Sequence, residues 1–173
     1  SEASGPPESE DEQRRLTSTL HALDHASRLA ETVSEAAEFE TPPGGQEDMR
    51  AAEVCAEAMR HAASLADEVA TLSAASDRAA EIEPGSGPMG SPDSRKKIPA
   101  IGSSTEQALA DLERCAKMLG ELRRDHRSTT LSSVASGAVT ADEAIARVDA
   151  VRRLEALAYH AWRSAAHLVG QAP

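Results

Sequence analysis

The helix-breaking residues of this chain are gathered into a few short places. Between them run four long stretches whose apolar residues recur every three or four positions. That rhythm marks an amphipathic α-helix, because side chains three and four apart share a face. The first stretch, about 9–38, carries Leu16, Leu20, Leu23, Ser27, Ala30, Ser34 and Ala37 in alternating steps of four and three, a stripe expected to face the core. The second, about 46–81, places Cys55, Met59, Ala62, Ala66, Val69 and Leu72 inward. The third, about 104–134, does the same with Leu109, Leu112, Ala116, Leu119 and Leu122. In the fourth, about 140–169, the stripe is Ile145, Val148, Val151, Leu154, Ala158, Trp162, Ala165 and Val169.

The punctuation between them is specific. Ser9 with Glu12, Ser104 with Gln107 and Thr140 with Glu143 each have the spacing of a capping box at a helix start. Phe39 to Gly45 is a firm break, since proline lacks the amide donor and glycine the stiffness to continue a helix. Ser136 and Gly137 close the third helix, which makes the third and fourth a tight antiparallel pair. Residues 82–103, rich in Pro, Gly and Ser, read as a long flexible loop, and residues 1–8 as a disordered segment leading out of something upstream. Helices of this length span roughly 38–54 Å at 1.5 Å per residue. Four such stripes are buried most economically in an all-α, elongated four-helix bundle forming one domain over 9–170.

Composition agrees. Roughly a fifth of the chain is alanine, while aromatic residues make up 2%, a balance that favours helix over sheet. Residues 1–81 hold 18 acidic and 6 basic side chains, and residues 82–173 hold 11 and 12, so the net charge of −11 resides in the first half. A field of that sign repels phosphate backbones and excludes general nucleic-acid binding. Cys55 and Cys115 stand alone on apolar faces and read as small buried hydrophobes in a reducing compartment, with an interhelical disulfide as the alternative. There is no run of 18 apolar residues, so direct membrane insertion is not expected, and the acidic N-terminal residues lack a signal-peptide pattern.

Candidate sites are few. Gly85 to Gly90 has the letters of a dinucleotide-binding loop, but a helix rather than the required strand precedes it and Pro88 interrupts it, so no cofactor is expected. His21 and His25 lie at i and i+4 and could grip a divalent metal, although a second helix would have to supply further ligands. The plainer reading is that they flank the core stripe. Glu121 and Asp125 are the only E-x-x-x-D pair and could share a hard cation, but Arg123, Arg124 and Arg127 around them suggest surface ion pairs. None of the six histidines has Glu three positions earlier, which disfavours di-iron chemistry. Arg95, Lys96 and Lys97 form a basic triplet in the loop. Nucleophile elbows, zinc-protease motifs and phosphate loops do not occur, so an enzyme is not expected. The fourth helix holds the only Tyr and the only Trp, three residues apart, with His160 and Arg163 beside them, and is the expected place for a specific contact.

Two passages carry a family resemblance. HALDHASRLAE, with Leu23-Asp24-His25, and RVDAVRRLEALAYHAWRSAAHL, with Tyr159-His160-Ala161-Trp162-Arg163, resemble the PhoU-like helical domain at the cytoplasmic end of bacterial sodium/phosphate cotransporters. VASGAVTADEAIARVDA between them is similar in its glycine turn before an alanine-rich helix. The resemblance covers residues 12–169 through short motifs. It implies a non-enzymatic regulatory or structural domain, cytoplasmic, the soluble tail of an inner-membrane protein, with an upstream membrane transport domain or another membrane protein as partner. Metal-binding E-x-x-x-D clusters are repeated in stand-alone members; here Glu121 and Asp125 give one. Asp24, His25, Arg28, Tyr159, His160, Trp162 and Arg163 are the residues expected to carry structure or interaction, with Asp24, His25, His160 and Arg163 meeting between the first and fourth helices. Two alternatives stand beside this reading: a metal-binding bundle built on His21 and His25, and an oligomerising helical adaptor whose partner is a second copy.

Overall fold

The structure is a computed structural model that describes residues 9–37, 44–81 and 102–170; the side chains of 36–37 and 76–81 lie outside the description. The terminal segment 1–8, the break at 38–43 and most of the 82–103 loop, with its glycines and basic triplet, also fall outside it. Four helices account for the described chain: α1 Glu10–Ala37, α2 Gln46–Glu81, α3 Ser103–Ala135 and α4 Ala141–Leu168. The chain is an all-α four-helix bundle. No described helix is long and apolar enough to cross a membrane.

Local chemistry sets several of the helix ends. At α4 the capping box is complete: Glu143 N–H donates to Thr140 Oγ1 at 3.3 Å, and Thr140 N–H donates to Glu143 Oε2 at 3.1 Å. The Thr140 amide first, and its hydroxyl second, donate to the Glu143 carboxyl and hold it below the usual carboxylate range. Ser9 caps α1 by accepting from Glu12 N–H at 3.2 Å. Gly137, at φ 74°, takes the left-handed turn that ends α3, and Ala138 N–H reaches back to the Ser133 carbonyl. The box expected at Ser104 and Gln107 does not form. Gly102 is the N-cap of α3 and has no side chain, while Gln107 bonds Asp111 instead. Ser104 and Thr105 both donate to the Glu68 carboxylate of α2, which ties the two helices at this end.

At the opposite end of the same pair, His126 Nε2 meets Asp48 Oδ1 at 2.6 Å, and His126 is 5% exposed. With Arg114 bridging to Glu57 midway, these contacts fix α2 and α3 as antiparallel. The core between α2, α3 and α4 is built on Leu112, Leu119, Val151 and Cys115, all fully buried, and on alanines such as Ala51, Ala58, Ala158 and Ala161. Small residues let the backbones come close, so a core poor in large side chains is still closely packed.

α1 departs from the expected arrangement. Among the described residues it packs against α4 alone, while α2, α3 and α4 pack on one another. Its leucine stripe also faces away from the bundle: Leu16 is 50% exposed, and Leu20 and Leu23 are each 58% exposed. Ser27, Ala30 and Ser34 are exposed with them, and the Ala37 side chain lies outside the description. What docks is a different track, Ser18, Ala22, His25 and Leu29, which has the same four-three rhythm on roughly the opposite side of the helix. The reason is steric and polar. Ala22 is small enough for α4 to approach, and Ser18 and His25 find hydrogen-bond partners on α4. Smaller corrections follow: Ala66 and Val69 of α2, expected inward, are exposed, and so is Ile145 of α4. Because α1 and α2 do not touch, an apolar trough of about 480 Å³ opens where Leu29, Leu65, Val69, Ala161, Ala165 and Val169 converge.

Candidate functional site

The α1–α4 seam is held by side-chain hydrogen bonds at successive turns. Ser18 Oγ donates to the His167 carbonyl at 2.8 Å, Ser164 Oγ donates to the Ala22 carbonyl at 3.0 Å, and His25 Nδ1 lies 3.0 Å from His160 Nδ1. Each step forward along α1 is matched by a step back along α4, so the helices run antiparallel. Two of the bonds end on carbonyls already used within a helix, which accept a second donor through their other lone pair.

Four histidines stack along this seam. His21 lies over His167 with ring centroids 5.1 Å apart, and His25 lies between His167 at 5.8 Å and His160 at 5.3 Å. The imidazole–imidazole bond requires one Nδ1–H and one bare Nδ1, so it does not survive protonation of both rings. Arg163 Nη2, which can only donate, reaches His167 Nε2 at 3.4 Å and leaves the His167 proton on Nδ1. Arg163 also lies 5.5 Å from the Trp162 ring, and its Nε is buried without a hydrogen-bond partner. Tyr159 sits edge-on to His25, His160 and Trp162, with its ring 40% exposed.

The surroundings of His25, His160 and His167 disfavour their protonated forms. Burial lowers the pKa of His25, and His160, Arg163 and His167 lower it further against the opposing pull of Asp24. His160 is lowered by burial and then by Arg28, with Asp24 and Glu155 opposing. His167 is lowered by burial, then by Arg163 and His21. Where α1 begins and α4 ends, Arg14, Ser18, His21 and His167 border an open cleft of about 570 Å³.

Of the residues singled out from sequence, the fold brings together His21, His25, Tyr159, His160, Trp162 and Arg163. Asp24 does not join them. It is exposed and pairs within its own helix, accepting from Arg28 Nε at 3.0 Å, an i,i+4 contact on the solvent side. Asp24→Ala therefore removes a surface ion pair worth about 0.3–0.5 kcal/mol, not a buried partner. Glu121 and Asp125 lie exposed on α3, and the neighbouring Arg123 pairs with Glu155 of α4 instead. His21 and His25 gain no third donor at coordinating range among the described residues.

Sequence reasoning missed three features. His167 completes the histidine stack. His126 with Asp48 fixes the far end of α2 on α3. Glu57, His61 and Cys115 offer ligand atoms that all lie within 4.8 Å of one another, across α2 and α3. A signal for this last group existed in Glu57-x-x-x-His61, an i,i+4 pair, but its third member comes from another helix. Both cysteines are free and buried, and burial, then Cys115 nearby, pushes the Cys55 thiol up to about 11.

No protein-family model matches the chain, and no significant match to a curated protein or a solved structure was found.

Proposed function

We propose that this chain is a non-enzymatic interaction domain in which α1 presents its leucine edge to an apolar helix of a partner protein. The observation that carries the reading is the orientation of α1: its hydrogen-bonding face is docked on α4 while Leu16, Leu20 and Leu23 point outward. Three leucines in four-three steps, followed by the small residues Ser27, Ala30 and Ser34, form a seam of heptad spacing. Such a seam is complementary to one further helix and to little else. The resemblance of the first and fourth helices to the PhoU-like domain supplies the partner: the membrane transport domain of a sodium/phosphate cotransporter, with the bundle regulating uptake from the cytoplasmic side. Support for that setting comes from the residues of the two resembling passages, His25 with Tyr159 and His160, which share one seam.

The test is sodium-driven phosphate uptake in cells carrying such a transporter with its tail replaced by this bundle. Substituting Leu16, Leu20 and Leu23 together by Ser is expected to reproduce the uptake seen when the bundle is deleted, while the bundle itself stays folded. Uptake indifferent both to deletion and to the triple substitution refutes the proposal. The adaptor reading rests on the same leucine edge but assigns it to a second copy. Light scattering that finds a concentration-dependent dimer, abolished by the triple substitution, favours the adaptor.

A further inference from the structure

We infer that Glu57, His61 and Cys115 form a binding site for a single divalent transition-metal ion of the zinc type, on the face of the bundle away from α1. The three residues supply one carboxylate oxygen, one imidazole nitrogen and one sulfur, and these atoms lie within 4.8 Å of one another. Glu57 and His61 are one turn apart on α2 and therefore share a face. Cys115 comes from the facing side of α3 and is 1% exposed, so its sulfur is anchored while the other two side chains, each partly exposed, can adjust.

The spacing fits coordination better than direct bonding. His61 Nε2 stands 3.7 Å from Glu57 Oε1, too long for a hydrogen bond. Ligand atoms about 2.0–2.3 Å from a tetrahedral ion stand roughly 3.3–3.7 Å from each other. The group, with no edge longer than 4.8 Å, thus needs a contraction of at most about 1.5 Å to enclose the ion. Three protein ligands with a fourth position for water is the pattern of an open zinc site.

Charge and donor type agree. A thiolate and a carboxylate balance a divalent ion, and a sulfur–nitrogen donor set selects zinc, cobalt or copper over magnesium or calcium. Asp111, near His61, adds a further negative charge. Arg114 now bridges Glu57 at 3.4 Å and Asp111 at 3.2 Å. Its side chain is 53% exposed, so it can release Glu57 and keep Asp111 as the ion enters. Binding displaces the Cys115 proton to solvent, so affinity rises with pH.

The experiment is a cobalt(II) titration of the full 173-residue chain after chelator treatment, read by thiolate-to-cobalt charge-transfer absorption and by the visible bands of tetrahedral cobalt. One equivalent is expected to bind, with zinc displacing it. Cys115→Ala should abolish the charge-transfer band, and His61→Ala and Glu57→Gln should weaken binding more than about 100-fold. Cys55→Ala and His25→Ala should leave the band intact, which separates this site from the other thiol and from the histidine seam. His61 and Glu57 are partly exposed, so their variants keep the question open to test even if Cys115→Ala does not fold. A missing charge-transfer band in the parent chain, a band that survives Cys115→Ala, or an undiminished cobalt affinity in His61→Ala overturns the inference.

Discussion

A pair of leucine truncations tests the orientation of α1 directly. Leu20 is 58% exposed on α1, whereas Leu119 is fully buried between helices. Burying a whole leucine is worth about 1.5–3 kcal/mol, so the less-than-half-buried Leu20 contributes under about 1 kcal/mol. Alanine's better helix propensity offsets part of even that loss. Leu119→Ala removes the full transfer term and leaves a cavity, at a cost of about 2.7–5 kcal/mol. For a domain of this size each kcal/mol moves the midpoint by about 2–4 °C. Leu20→Ala should therefore melt within about 4 °C of the parent, and Leu119→Ala about 5–20 °C lower. Circular dichroism during thermal and urea unfolding reads both. The complementary change is Ala22→Leu, at a residue 1% exposed against α4; forcing a larger side chain there should cost about 1–3 kcal/mol by overpacking. If Leu20→Ala costs as much as Leu119→Ala while Ala22→Leu costs nothing, α1 lies with its leucines inward and the reasoning fails.

Two further outcomes can be measured on the same protein. The folded-state pKa values of His25, His160 and His167 lie below the ordinary 6.5, so the unfolded chain binds protons that the folded one refuses. Their contribution to stability is complete above about pH 6.5 and is lost as the pH falls through the folded values; the urea midpoint should drop between about pH 7.5 and about pH 5.5, and drop less in a His25→Asn, His160→Asn double variant. An equal drop in both proteins would remove the seam from the explanation. Thr140→Ala deletes the capping-box hydroxyl of α4 and should cost about 1 kcal/mol in urea unfolding; no change in midpoint would show that the box adds nothing in this context.

The fold class was legible because breakers and helix formers are so cleanly separated. The firm break after α1 and Gly137 after α3 do locally what proline and glycine do anywhere. On α3 the inward track could be taken from Leu109, Leu112, Ala116 and Leu119, all of them buried, although Leu131 further along the helix is 58% exposed. On α1 the same procedure selects the wrong face, because it weighs residues by greasiness. The docked track is made of Ser18, Ala22 and His25, and its value lies in closeness and in partners on α4 that only the folded chain supplies. The candidate sites divide in the same way. His21 with His25 and Tyr159 with Trp162 stand out within their own helices, but the bond between His25 and His160 joins residues 135 positions apart. Likewise Cys115 reads as one more buried thiol until α2 places Glu57 and His61 beside it.

Among the described residues α1 packs on one neighbour only, whereas the other three helices pack on one another. A segment so attached can lift away by a local opening of lower free energy than global unfolding, leaving the remaining trio folded. The most detachable piece of the architecture is then also the one that bears three of the exposed leucines, Leu16, Leu20 and Leu23, and its departure would uncover the small-residue surface of α4 at Ala161 and Ser164.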